Sequence, residues 1–275
     1  MSGKSMSLKA KIRNLASEKN MSAQVILQNF MFERFLERLS VSDFKNKFIL
    51  KGGMLIASIV GISNRATMDM DATIKNHPIL LDSLSKTIAE ICSIETNDDI
   101  VFSLTGIEAI RDDDMYGGYR VSLKAVYDTI ITPLLIDITT GDVITPKEVS
   151  YSFKKLFGEG TINLLAYNIE TILAEKVETV LQRAELNTRI RDFYDIYILV
   201  NTRDFNQLVF EAALDKTLEH RNTGYIFNDL PDRIKAIETS QQLKSQWIKY
   251  TENYPYAKDI GYEDAIKALK RLIEY

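Results

Sequence analysis

The sequence predicts an α+β fold, with a first half that mixes helices and strands and a second half of helices alone. Three observations carry this expectation. Short apolar or alternating runs bounded by Gly, Pro, Asn and Asp recur as far as Thr139. Amphipathic patterns of helical period precede and interrupt those runs, then take over after Pro146. The chain has 275 residues, 45% of them hydrophobic, which is enough for one large domain or two ordinary ones with real cores. We expect two domains, residues 1–150 and 151–275.

Two helices come first. Leu8, Ile12 and Leu15 recur at helical spacing over Leu8 to Glu18. Ser22 suits the N-cap of a second helix reaching about Leu39, with Val25, Phe32, Phe35, Leu36 and Leu39 as its buried stripe. Gly3-Lys4-Ser5 resembles the end of a phosphate loop but lacks the earlier glycine and strand, and is read as a disordered terminus. Phe48-Ile49-Leu50 reads as a strand ending at Lys51-Gly52-Gly53, followed by a helix over Met54 to Val60. After a polar loop, Met68 to Ile74 alternates as a strand, with Met68 and Met70 facing a core. His77-Pro78 opens a helix carrying Ile79, Leu80, Leu84, Ile88 and Ile91 on its apolar side. Ile100 to Ile110, Tyr119 to Tyr127 and Pro133 to Thr139 are strand-like, and Asp112-Asp113-Asp114 with Gly117-Gly118 marks the turn between the first two. Beyond Pro146 the segments Glu170 to Leu186, Arg191 to Asn201, Phe205 to His220, Ala236 to Tyr250 and Tyr262 to Tyr275 all look helical.

Composition closes several routes. The longest apolar stretch, Met54 to Ile62, is too short to cross a bilayer, and Met1 to Lys11 lacks a secretory apolar segment, so a cytoplasmic protein is expected. A single cysteine, Cys92, excludes an internal disulfide and any multi-cysteine metal cluster. His77 and His220 are the only histidines, so a three-histidine zinc site is impossible. The net charge is 34 − 38 = −4, which argues against a generic nucleic-acid coat but not against a local basic stripe.

Carboxylate chemistry stays open, and the sequence concentrates it. Asp69 and Asp71 are two residues apart, so on a strand they share a face. Carboxylates that close repel unless a cation lies between them, and magnesium (or manganese) favours such oxygen ligands. Asp137 stands alone among Leu134, Leu135, Ile136 and Ile138, an expensive place for an acid without a partner. If its strand pairs beside Asp69 to Ile74, three carboxylates make a metal site for in-line attack on a phosphate. Gly52 and Gly53 let the backbone approach an anion at the start of a helix, and Lys51, Ser63, Arg65 and Thr67 add donors suited to a triphosphate. In the helical half, Asp192 and Asp195 share a helix face, and Lys176 borders an apolar stripe. Tyr194 and Tyr197 suit base stacking or core packing equally, while Lys154, Lys155, Arg183, Arg189 and Arg191 are candidate phosphate contacts.

Lys51-Gly52-Gly53, Arg65-Ala66-Thr67-Met68-Asp69-Met70-Asp71 and Ile136-Asp137-Ile138 resemble the first three motifs of the AbiEii/AbiGii toxin nucleotidyltransferases, within the DNA polymerase β-like superfamily. The resemblance continues at Ala174-Glu175-Lys176 and at Arg189 to Asp195, where Arg191 stands in place of the family's usual lysine. It implies a bilobed fold, a mixed-sheet nucleotidyltransferase domain and a C-terminal helical domain contributing active-site residues. It further implies a toxin of a bacterial abortive-infection or type IV toxin–antitoxin system, moving a nucleotide from a nucleoside triphosphate (NTP) to an RNA acceptor, best the tRNA 3′ end. A cognate antitoxin would oppose it. Carried over by motif, Asp69 and Asp71 are metal ligands, and Gly52, Gly53, Ser63 and Arg65 belong to the nucleotide site. Asp137 is the third acid, assisting deprotonation of the acceptor hydroxyl. Lys176 is a phosphate or acceptor contact, and Asp195 or Asp192 an active-site acid. Carboxylates do not reveal which hydroxyl attacks, so a small-molecule or protein acceptor stays open at this level, as does a non-catalytic nucleotide-binding module.

Overall fold

Helix α1 (Gly3–Glu18) starts earlier than its apolar pattern. The expected disordered terminus is helical instead, because Lys4 pairs with Asp99 and the Ser5 N–H donates to the Asp128 carboxylate at 3.3 Å. The Ser22 hydroxyl accepts the Val25 N–H at 3.2 Å and caps α2 (Ala23–Val41), as its position predicts. Phe32, Phe35, Leu36 and Leu39 are buried, and Val25 at the rim is half-buried. The same helix buries Arg38, whose guanidinium holds both oxygens of Asp98 at 2.8 Å, donates to the Ile100 carbonyl at 2.7 Å and lies 4.7 Å from the Phe102 ring centre. That fork fixes α2 to the strand beginning at Ile100.

The computed structural model describes residues 3–75, 80–110 and 117–273. It divides into two units, Met1–Asp142 with Val149–Ala166, and Val143–Glu148 with Tyr167–Tyr275. After α2 the first unit runs β1 (Phe48–Lys51), α3 (Gly52–Val60), β2 (Met70–Ile74), α4 (Leu81–Ser93), β3 (Ile100–Ile110), β4 (Gly118–Tyr127), β5 (Ile130–Thr140), β6 (Val149–Lys154) and β7 (Thr161–Ala166). Among the described residues these strands form one mixed sheet of seven, in the order β3-β4-β5-β2-β1-β7-β6. Strand β2 runs antiparallel to β1 and parallel to β5, and β1 runs parallel to β7.

Several local expectations change. Met70 is fully buried, but Met68 precedes β2, where no pleat directs it inward, and it is exposed. In α4, Leu84, Ile88 and Ile91 face the core as expected, whereas Leu80 sits ahead of the helix and is exposed. His77, Pro78, Ile79 and Asp112-Asp113-Asp114 lie outside the described residues. Strands β6 and β7 follow residue 146, where only helices were expected. Their buried positions Phe153, Ile162, Leu164 and Ala166 alternate with more exposed ones, and β7 closes onto β1.

The second unit contains α5 (Ile169–Arg183), α6 (Ile190–Thr202), α7 (Gln207–Arg221), α8 (Leu230–Thr239), α9 (Gln241–Asn253) and α10 (Tyr262–Ile273). Asn168, Asn206 and Ser240 cap α5, α7 and α9 with side-chain oxygens. The Ser240 cap splits what the sequence suggested was one helix over Ala236 to Tyr250. Tyr194 is buried in an aromatic cluster with Tyr250 and Tyr256, at centroid distances of 5.9 and 4.9 Å, so it packs a core. Arg191 donates to the Tyr254 hydroxyl at 2.7 Å and lies 5.2 Å from that ring's centre. No described helix is long and apolar enough to cross a membrane.

Candidate active site

The first unit assembles its acids by strand register. Asp71 lies opposite Lys51 on β1 and opposite Asp137 on β5, so the two acids are neighbours on adjacent parallel strands. The conditional pairing drawn from the sequence is present. Asp69 comes one residue ahead of β2, and its carboxylate accepts the Thr67 hydroxyl at 2.5 Å.

The glycine pair sits where β1 turns into α3. Gly52 has φ +64°, and a Cβ there would lie 2.0 Å from Asp71 Oδ2, so only glycine fits. At Gly53 a Cβ would lie 2.8 Å from Thr67 Oγ1 and 3.0 Å from Arg65 Nη2. Thus the two glycines, Arg65, Thr67 and Asp71 form one close-packed corner. The Gly53 N–H donates to Asp71 Oδ2 at 3.3 Å, so an acid of the chain itself takes one of the helix-start donors expected to face an anion. Lys51 pairs with Asp142, which also accepts the Thr139 hydroxyl at 2.7 Å. Arg65 is buried and donates to the Ala66 carbonyl at 2.5 Å, while Ser63 is half-buried in the turn after α3.

Burial, and then the negative charge of Asp69, push the Asp71 carboxyl up to about 6; Asp137 adds to the rise, while Lys51 and the Gly53 N–H oppose it. Sequence reasoning missed Arg120, which lies opposite Asp137 across β4 and β5. Its Nε and Nη2 hold the two oxygens of Asp137 at 2.8 and 2.7 Å. Such a cross-strand partner is seventeen residues away in sequence and becomes visible only through the hairpin register.

These donors bear on a divalent metal. Asp69 and Asp71 offer hard oxygens at a point where carboxylate charge is destabilised, which suits such an ion. Both oxygens of Asp137 are held by Arg120, and among the described residues no group of three or more His, Cys, Asp or Glu side chains is arranged to hold a metal. The Asp69–Asp71 pair therefore fits a cation, and Arg120 holds both oxygens of Asp137 in this structure.

In the second unit, Lys176 of α5 pairs with both Asp192 and Asp195 of α6, reaching Asp195 Oδ2 at 2.9 Å. Arg189 Nε holds the other Asp192 oxygen at 2.7 Å. Both acids are buried, so this is an interior charge cluster and not a surface bridge. Of the other candidate cations, Lys155 pairs with Glu37 at 2.6 Å, and Lys154 and Arg183 are exposed.

A family model described as the nucleotidyl transferase AbiEii toxin of type IV toxin–antitoxin systems matches residues 34–269. By class, then, the protein is a nucleotidyltransferase. More particularly, it belongs to the AbiEii toxin family of type IV toxin–antitoxin systems. Among solved structures, JHP933 from Helicobacter pylori superposes with a TM-score of 0.49 and 18% identity, covering 91% of this chain and 94% of that one. An antigenic nucleotidyltransferase-like protein from Paracoccidioides brasiliensis gives a TM-score of 0.37 and 14% identity, covering 88% and 92%. No curated protein sequence matches.

Proposed function

We propose that this nucleotidyltransferase uses a divalent metal to transfer a nucleotide from an NTP to an RNA acceptor, the tRNA 3′ end. The observation that carries the reading is the register of Asp71 beside Asp137, with Asp69 one residue ahead of the same strand. In the reaction a bond forms between the acceptor oxygen and the α-phosphorus, the bond from that phosphorus to the bridging oxygen breaks, and pyrophosphate leaves. A divalent cation bound at Asp69 and Asp71 would neutralise charge on the triphosphate. Gly52 and Gly53 let the triphosphate approach the backbone, and Lys51, Ser63, Arg65 and Thr67 supply or orient donors around it. Asp137 takes the proton of the acceptor hydroxyl at a carboxylate oxygen that Arg120 gives up. Lys176, with Asp192 and Asp195, serves the same reaction as a phosphate or acceptor contact. The antitoxin of the system opposes this activity in the cell.

The test is expression of the protein and of Asp69→Ala, followed by sequencing of RNA 3′ ends. Extra 3′ nucleotides with the intact protein alone support the reading. Label from an α-labelled NTP appearing only on a small molecule or a protein would overturn the acceptor assignment.

A further inference from the structure

A second site lies in the first unit, at the other end of β5 from Asp137. A groove of about 380 Å³ opens between α1, α2 and residues 130–133, a volume in the range of small-ligand pockets. It forms because β2 pairs only with residues 136–140 of β5, which leaves the earlier residues without a strand partner on that side among the described residues. Pro133 suits that open edge, since it has no N–H to leave unpaired, and its carbonyl accepts the Gln28 amide at 3.4 Å.

The groove is built in a way the fold does not require. Lys9 and Arg13 stand one turn apart on its rim, a like-charge spacing that disfavours the helix. Neither makes an ion pair among the described residues, and no acid lines the groove. Ile12, Leu27 and Pro133 supply apolar walls. Thr132 lines the same groove at 6% exposure, and its buried hydroxyl has no hydrogen-bond partner among the described residues. A buried hydroxyl left unpaired is costly to a fold, and a ligand would satisfy it.

We propose that this groove binds a nucleotide of single-stranded RNA, upstream of the reacting end; as an acceptor subsite it rests on the RNA reading above. Two cations one turn apart match a phosphodiester, the aliphatic walls offer apolar contact to a base, and Thr132 with Gln24 offers hydrogen bonds to a base edge. Strand β5 links the groove to the chemistry. Ile131, Pro133, Leu135 and Asp137 share one face, Ile131 and Leu135 are exposed along it, and five residues at roughly 3.3 Å separate Thr132 from Asp137 by about 17 Å. Thr132 points to the opposite face of β5, so Ile131 and Pro133, which line the groove from the Asp137 face, are the residues an RNA strand would follow from the groove to the catalytic acid. Lys124, exposed opposite Pro133, adds positive charge to the track.

Binding of a short fluorescent single-stranded RNA to the full-length protein, followed by anisotropy, tests this. Lys9→Gln with Arg13→Gln is expected to weaken binding about tenfold and to lower its salt dependence. Thr132→Val is expected to weaken binding while leaving the melting temperature equal or higher, an outcome that a structural role for the hydroxyl does not give. Unchanged RNA affinity in both variants overturns the proposal. So does displacement of the RNA by AMP or by an acidic peptide at equal concentration, which would make the groove a mononucleotide or peptide site. Transfer is assayed in parallel. Wild-type protein that binds RNA here but extends no RNA refutes the acceptor reading and leaves the binding site standing. Variants that extend RNA with an unaltered KM refute the groove alone.

Discussion

Asp71→Asn is expected to abolish nucleotide transfer and, at neutral pH without metal, to make the protein more stable. Burial first, and then Asp69, raise the Asp71 carboxyl from its ordinary 3.8 to about 6. Between those values the folded state holds a proton that the unfolded chain has released, so this group's contribution to stability falls as pH rises through the window. At 1.36 kcal/mol per pH unit, the ceiling on that loss is about 3 kcal/mol. Asparagine carries no charge and its oxygen still accepts the Gly53 N–H. The variant should therefore match the wild type at about pH 4 and exceed it by up to about 3 kcal/mol above about pH 6. Urea unfolding in EDTA across that range measures the difference. Added magnesium is expected to stabilise the wild type and not the variant. A variant less stable at neutral pH, or a difference that does not vary with pH, refutes the reasoning.

Three further outcomes follow from the geometry. Gly52→Ala places a methyl on Asp71 at a positive φ, and is expected to cost about 1–3 kcal/mol in thermal unfolding and to eliminate transfer. Arg38→Ala strips Asp98 of its fork and should destabilise the protein by about 3–5 kcal/mol. Burial pushes the Asp98 carboxyl up, but the Arg38 hydrogen bonds and the Ile100 N–H outweigh it, so the acid sits below its ordinary range and the stability it provides is lost as pH falls toward that lowered value. Lys176→Met leaves Asp195 buried without its cation and should cost a similar amount, about 3–5 kcal/mol in urea unfolding. The added change Asp195→Asn should recover much of that loss, and no recovery would show that the buried charge is not its source.

Legibility in the sequence followed the range of the forces involved. The Ser22 cap, the turn at Gly52-Gly53 and the placing of Asp71 and of Asp137 each within its own strand-like run are local, and local residue types announce them. The adjacency of β2 and β5 could be stated only as a condition, because sixty-six residues separate Asp71 from Asp137 and strand register is settled by packing. Arg120 was invisible for the same reason. The β6–β7 hairpin did carry a signal, since Tyr151, Phe153, Ile162 and Leu164 keep period two and Gly158 and Gly160 fall in the connection between them, but each strand is only six residues long. Met68 shows the converse: an alternating pattern continued one step past the end of the strand that enforces it.

The corner at Gly52 and Gly53 also has a genetic consequence. Any single-base missense change in a glycine codon adds a side chain, and either position has a heavy atom within 3 Å of where its first carbon would go. Loss of toxicity is therefore within one mutational step at two adjacent codons, without truncation of the gene. Survivors selected for tolerating this toxin in the absence of its antitoxin are expected to carry substitutions there more often than at other first-unit glycines with open space around them, such as Gly106.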